Sequence, residues 1–137
     1  SPNCIPLLHY LVQNKIQINL FTEAEDTRHD SFAEVAHFCK LLKVPIQSNG
    51  TIYNWLKQIK PDVVFILGYK HLIHVQKIDN HLQQKIFNIH FGVLPHYKGP
   101  SPVFWQLKNG EPHPGITIHL VNEKFDDGHI IWMKRIK

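Results

Sequence analysis

Apolar positions along this chain follow two rhythms, one helical and one of strands. Leu7, Leu8, Leu11 and Val12 recur at helical spacing and predict a helix over about residues 4–14, with IQINLF (16–21) as a short strand after it. The polar run TEAEDTRHD (22–30) predicts an exposed loop. Ser31 and Glu34 then have the spacing of a capping box, in which each side chain satisfies a free backbone N–H. The helix they open carries Phe32, Val35, Ala36, Cys39 and Leu42 on one face and stops before Pro45. TIYNWLKQIK (51–60) is a further amphipathic segment, halted by Pro61.

VVFIL (63–67) has the unbroken apolar run of a strand covered on both faces, and KIFNIH (85–90) is a second strand of that kind. The two are expected to be central and adjacent. Ser101 and Pro102 suit a helix start, serine as cap and proline at the first helical position, with Gly110 closing the helix. GITIHLV (115–121) and HIIWMKRI (129–136) alternate like half-buried strands joined by a turn around NEKFDDG. Helices interleaved with strands predict an α/β fold, a mostly parallel sheet with helices on both faces. Such a sheet normally opens on a strand, whereas this chain opens on a helix. The pattern therefore implies that a first strand is missing from these residues.

With 137 residues, 43% hydrophobic and 19% charged, the chain is expected to form one domain over 1–137 with a core of its own. The formal charge is +4, but the basic residues are scattered rather than gathered in a stripe. That points to mild solubility charge or attraction to an anionic small molecule rather than to nucleic-acid binding. The two cysteines, Cys4 and Cys39, form neither a disulfide framework nor a CxxC site, which indicates a reducing, cytoplasmic setting. No apolar run approaches the roughly 18 residues of a membrane span, and SPNCIPLLHYL lacks the features of a signal peptide. Among the 11 histidines the only short pair is His71 and His74, and no third ligand stands at a suitable interval. No metal is expected.

Candidate chemistry gathers in the second half. Asn88 and His90 stand at i and i+2 and so project from the same side of a strand, at its C-terminal end, where open α/β sheets place their ligands. GVLPHYKGPSP follows, a Gly/Pro-rich loop suited to shaping a cleft, and the carboxylates Asp126 and Asp127 precede Gly128 in a tight turn. An amide, an imidazole and a carboxylate are a workable set for acyl transfer: two donors for an oxyanion and an anion to orient the imidazole. Each piece also has an ordinary reading, Asn-x-His as strand-end hydrogen bonding and Asp-Asp-Gly as a plain turn.

The run Asn88-Ile89-His90, Leu94-Pro95, Tyr97, Gly99, Pro102, Gly115-x-Thr117 and Asp126-x-Gly128 resembles the folate-dependent formyltransferase family in order and intervals over about residues 86–131. That family includes methionyl-tRNA, glycinamide ribonucleotide and sugar-nucleotide formyltransferases. VVFILGYKHLI is similar to the strand and loop that line its folate pocket, and residues 1–60 fit the rest of its Rossmann-like domain more loosely. The resemblance implies Asn88, His90 and Asp126 as the catalytic group, with Asp126 chosen over Asp127 because the family aspartate stands two residues before the glycine. It implies a pterin pocket formed on one side by Tyr69, Lys70, His71, Leu72 and Ile73. The other side falls to Val121, Asn122, Glu123, Lys124 and Phe125. The chain departs from the family at Phe91, where a small residue or proline is usual, and only Ser1-Pro2-Asn3 stands for the family's N-terminal strand and glycine turn.

The implied reaction is transfer of the formyl group of 10-formyltetrahydrofolate to a primary amine, through a tetrahedral intermediate stabilised by His90 and Asn88. The expected acceptor is a small-molecule amine, an anionic one suiting the basic charge. Membrane is not an expected partner, and nucleic acid would require a C-terminal domain that holds tRNA. Two alternatives stay open: a formyltetrahydrofolate deformylase that hands the same group to water, and a non-catalytic folate-binding domain of the same fold.

Overall fold

The structure, a computed structural model, describes residues 2–23 and 30–137. Contacts gather into two compact units, Ser1–Lys60 and Pro61–Lys137. In the first, helices α1 (Ile5–Gln13), α2 (Asp30–Leu42) and α3 (Ile52–Ile59) accompany two short strands, β1 (Leu20–Phe21) and β2 (Ile46–Gln47), paired in parallel. Of the strand expected over 16–21, only the last two residues find a partner. Leu8, Val35, Cys39, Val44, Trp55 and Leu56 are buried, and Phe21 packs on Trp55 with ring centroids 5.4 Å apart. Cys4 and Cys39 are free and buried, and burial holds both thiols above their ordinary pKa, so they act as packed apolar groups rather than nucleophiles.

Two local expectations need correction here. Most of the polar stretch 22–30 lies outside the described residues, but Asp30 already belongs to α2. Ser31 is therefore a helical residue rather than a cap, since a cap requires extended backbone. Thr51 does cap its helix: its backbone is extended, and its hydroxyl accepts the N–H of Asn54 at 3.3 Å. Each helix of this unit is followed by a lysine at positive φ, Lys15, Lys43 and Lys60, where glycine would be the unstrained choice. A lysine there still places its charge at the negative end of the helix dipole.

The second unit is built on a four-stranded sheet in the order β3-β4-β5-β6, with β3 (Val64–Ile66), β4 (Ile86–His90), β5 (Gly115–Leu120) and β6 (Ile130–Arg135). β3 and β4 are parallel neighbours, as expected, whereas β4–β5 and β5–β6 are antiparallel. With the parallel β1–β2 pair this makes a mixed α/β fold. β4 lies inside the sheet, but β3 stands at its edge. Val64 and Ile66 are buried, while Val63 and Phe65 are 44% and 46% exposed, so only one face of this strand is covered. Phe65 recovers part of that loss by stacking on its cross-strand neighbour Phe87 at 5.7 Å. β6 is also an edge strand and departs from the half-buried pattern, with Ile130, Ile131 and Trp132 exposed. Its pairing shifts register by one residue opposite Ile118 and His119, which leaves Ile131 as a bulge.

Helix α4 (Pro102–Lys108) has proline in its first turn, but Ser101 makes no side-chain cap bond. Its φ of 55° is left-handed, and that geometry turns the hydroxyl away from the helix N–H groups. Gly110 follows the helix at φ 62°. Among the described residues no helix is long and apolar enough to cross a membrane.

Thr51→Ala removes the only side-chain cap seen on α3. We expect a loss of about 1 kcal/mol, read as a lower urea midpoint at unchanged slope. An unchanged midpoint would show that solvent caps the helix equally well.

Candidate functional site

The C-terminal end of β4 meets the middle of β5 at one buried carboxylate. Asn88 pairs with His119 across the strands and His90 with Thr117, so the period-2 rule puts all four side chains on the same face. The turn that follows β5 brings Asp126 back over them. Its φ is +48°, an uncommon conformation for a residue with a side chain, and it aims the carboxylate inward. Asp127 turns outward and pairs with Lys98 on the surface.

Two residues later the turn closes on Gly128, which has no room for a side chain: a β-carbon there would lie 1.6 Å from the carbonyl oxygen of Leu120. This contact forces glycine at the end of the Asp-x-Gly run by close backbone approach. Positive φ plays no part.

Asp126 is 9% exposed, and four groups converge on it. The Asn88 side-chain amide donates to Oδ1 at 2.9 Å, and the backbone N–H of Gly99 donates to Oδ2 at 2.8 Å. His119 Nε2 lies 3.3 Å from Oδ1 and His90 Nδ1 3.5 Å from it. Burial would raise the carboxyl pKa. His119, the Gly99 N–H and the charge of His90 outweigh that and hold it below the ordinary value. The reciprocal effect acts on His119: burial would lower its pKa, but Asp126 and the Leu120 carbonyl raise it.

The tautomers follow from the partners. His119 Nδ1 is 2.8 Å from the Leu120 carbonyl, which can only accept, so Nδ1 carries a proton. Its Nε2, 3.2 Å from the Asn88 amide nitrogen, accepts from that amide when the ring is neutral and donates to Asp126 when it is charged. Protonation of His119 thus releases one Asn88 N–H for another acceptor. His90 Nε2 donates to the Tyr97 carbonyl at 2.7 Å. Among the described residues no buried side-chain polar atom lacks a partner.

These groups form one wall of a cavity of about 480 Å³. Asn88, His90 and Asp126 line it, and so do Tyr69, Lys70, His71, Leu72 and Ile73 from the loop after β3. Val121, Asn122, Lys124 and Phe125 close the other side. Glu123 departs from the expected set: it turns to a neighbouring cavity of about 340 Å³ and lies 3.9 Å from His74. The two cavities share Val121 and Asn122. Among the described residues no three His, Cys, Asp or Glu side chains are grouped to hold a metal ion.

Sequence reasoning missed His119. The signal was present in the alternation Gly115, Thr117, His119, which puts these residues on one face of β5. Only the cross-strand register with Asn88 and His90 turns that face into a site.

The paired shifts have a pH consequence. His119 is raised from 6.5 on folding, so its contribution is complete below about 6.5 and is lost as pH climbs through the raised value. Asp126 is lowered from 3.8, so its contribution is complete above about 3.8 and is lost as pH falls through the lowered value. We expect the thermal midpoint to be highest between these limits. Asp126→Asn should flatten the decline on the alkaline side, and identical alkaline slopes in both proteins would contradict the coupling.

Comparison with known proteins adds the family. Residues 8–137 match the family model described as Formyl transferase. A methionyl-tRNA formyltransferase from Finegoldia magna is 27% identical over 131 residues, which cover 90% of this chain and 42% of that protein. The chain thus spans less than half the length of that relative. Among solved structures, a phosphoribosylglycinamide formyltransferase from Bacillus halodurans superposes with a TM-score of 0.78 at 21% identity, over 100% of this chain and 76% of that one. WlaRD, a sugar 3N-formyl transferase crystallised in the presence of dTDP and 5-N-formyl-THF, superposes with a TM-score of 0.73 at 23% identity, over 96% and 47% of the two chains. At these identities the superpositions establish a shared fold, and it is the family match over nearly the whole length that places this chain in the formyl transferase family.

Proposed function

We propose that this chain transfers the formyl group of 10-formyltetrahydrofolate to a primary amine, with Asn88, His90 and Asp126 as catalytic residues. The observation that carries the reading is the convergence of Asn88, His90 and Asp126 on one wall of a cavity whose other walls are the two segments expected to hold the folate. The cavity suits such a donor: apolar side chains for a ring system beside a few fixed polar groups. Relatives that act on methionyl-tRNA, phosphoribosylglycinamide and sugars support formyl transfer as the common reaction and leave the acceptor open at the level of a primary amine.

In this reading the neutral amine attacks the formyl carbon, a C–N bond forms, and negative charge collects on the formyl oxygen. His90 and the Asn88 amide donate to that oxygen. Their present partners are the Tyr97 carbonyl and the Asp126–His119 pair, so the oxygen takes the place of one acceptor at each donor. Asp126 keeps both donors aimed and offsets the positive charge of His90. Collapse of the intermediate breaks the bond to the folate nitrogen, which takes up the proton that the attacking amine gives up and leaves as tetrahydrofolate.

His90→Asn tests the mechanism. The variant should stay folded and still gain thermal stability from 5-formyltetrahydrofolate, as the wild type should. Its release of tetrahydrofolate from 10-formyltetrahydrofolate in the presence of an amine should fall by about 100-fold or more, since the lost interaction belongs to the transition state. Wild-type turnover in the folded variant would refute the role given to His90. Release that proceeds equally without an amine would identify hydrolysis instead, and ligand stabilisation without turnover would identify a binding domain.

A further inference from the structure

We propose that Gln106 is a positioning residue for His90, standing in for a rung of the sheet at the point where β4 leaves it. The ladder between β4 and β5 ends at the pair His90–Thr117, while β5 continues for two more residues paired only with β6. The next rung is supplied by a side chain from α4. The amide nitrogen of Gln106 donates to the Phe91 carbonyl at 2.8 Å, and its amide oxygen accepts the N–H of Gly115 at 3.0 Å. Gln106 is only 2% exposed, so both backbone groups are met where water does not compete.

One residue further on, Thr117 does the same. Its hydroxyl donates to the Gly92 carbonyl at 2.6 Å and accepts from the Leu94 N–H at 3.2 Å. Both carbonyls flanking the Phe91–Gly92 step are thus held by buried side chains.

That backbone is the wall against which the His90 ring rests. A β-carbon at Gly92 would lie 2.8 Å from His90 Nε2 and 2.9 Å from Pro102 Cβ, so the Gly92 backbone passes close to the ring and leaves no room for a side chain between them. Nε2 is also the nitrogen that donates to Tyr97 O and, in the mechanism above, to the formyl oxygen. Moving the Phe91 carbonyl therefore moves the donor.

The catalytic part of this proposal rests on the formyl-transfer reading, whereas the geometric part does not. Histidine-labelled protein of the full 137-residue chain is compared with Gln106→Met, which keeps the bulk and removes both hydrogen bonds, and with Gln106→Glu. In folded Gln106→Met the ring nitrogen resonances of His90 should move, while those of His119, anchored on Leu120, hold. The kcat for formyl transfer should fall about 10- to 100-fold, with KM for 10-formyltetrahydrofolate unchanged.

Gln106→Glu retains the acceptor for Gly115 and donates to Phe91 only when its carboxyl is protonated. Its His90 signals and rate, each relative to wild type at the same pH, should approach wild type as pH falls. Unmoved His90 resonances in the folded Met variant, or a loss of rate that only tracks the unfolded fraction, would overturn the proposal. If Gln106→Met does not fold, a Glu variant with no pH-dependent return toward wild type does so instead. Absence of turnover in the wild type would refute formyl transfer, and the resonances would still decide the role of Gln106.

Discussion

A carboxylate taken out of water must be met by donors, and in this protein Asp126 is the carboxylate around which the second unit is arranged. Left alone it would cost several kcal/mol or give up its charge. It is met instead by the Asn88 amide, the Gly99 N–H and the two imidazoles of His90 and His119. Those partners come from β4, from the loop after it and from β5, so one anion ties together three segments far apart in sequence. Its positive φ is sustained by the same contacts, and the surface pair of Lys98 and Asp127 joins the same loop and turn a second time. The strained conformation and the buried charge therefore have a common explanation in the site.

Much of this was legible before any coordinates. The apolar runs of β3 and β4 announced adjacent strands, and Asn88 and His90 could be placed on one face by counting alone. Asp126 was separated from Asp127 only through the family resemblance, which puts the aspartate two residues before the glycine, and the contact of Gly128 with the Leu120 carbonyl gives that glycine a physical cause. What stayed hidden depended on partners. His119 is one alternating residue among several until β5 is laid beside β4 in register. Gln106 reads as an ordinary polar residue of a short helix, and nothing local says that its amide lies between two strands.

Errors elsewhere have the same origin. β6 alternates in sequence like a strand with one covered face, yet Ile130, Ile131 and Trp132 remain exposed, because alternation tells which residues share a side and not whether anything lies on it. β3 was expected to be covered on both sides from its apolar run and is covered on one. Ser31 and Ser101 have the right identity for caps, but a cap is set by backbone angles, and one is already helical while the other is left-handed.

The bulge at Ile131 has a bearing on how such a domain tolerates changes of length. Along β5, Gly115, Thr117 and His119 act as a ruler: losing or gaining one residue between them would send the imidazole to the opposite side of the sheet. β6 absorbs its extra residue as a local loop-out, and the facing strand keeps its phase. Single-residue insertions and deletions are therefore permitted on the outer strand and forbidden on the one beside it. Across homologous chains, length differences should collect after Gly128 and leave the interval from Gly115 to His119 constant.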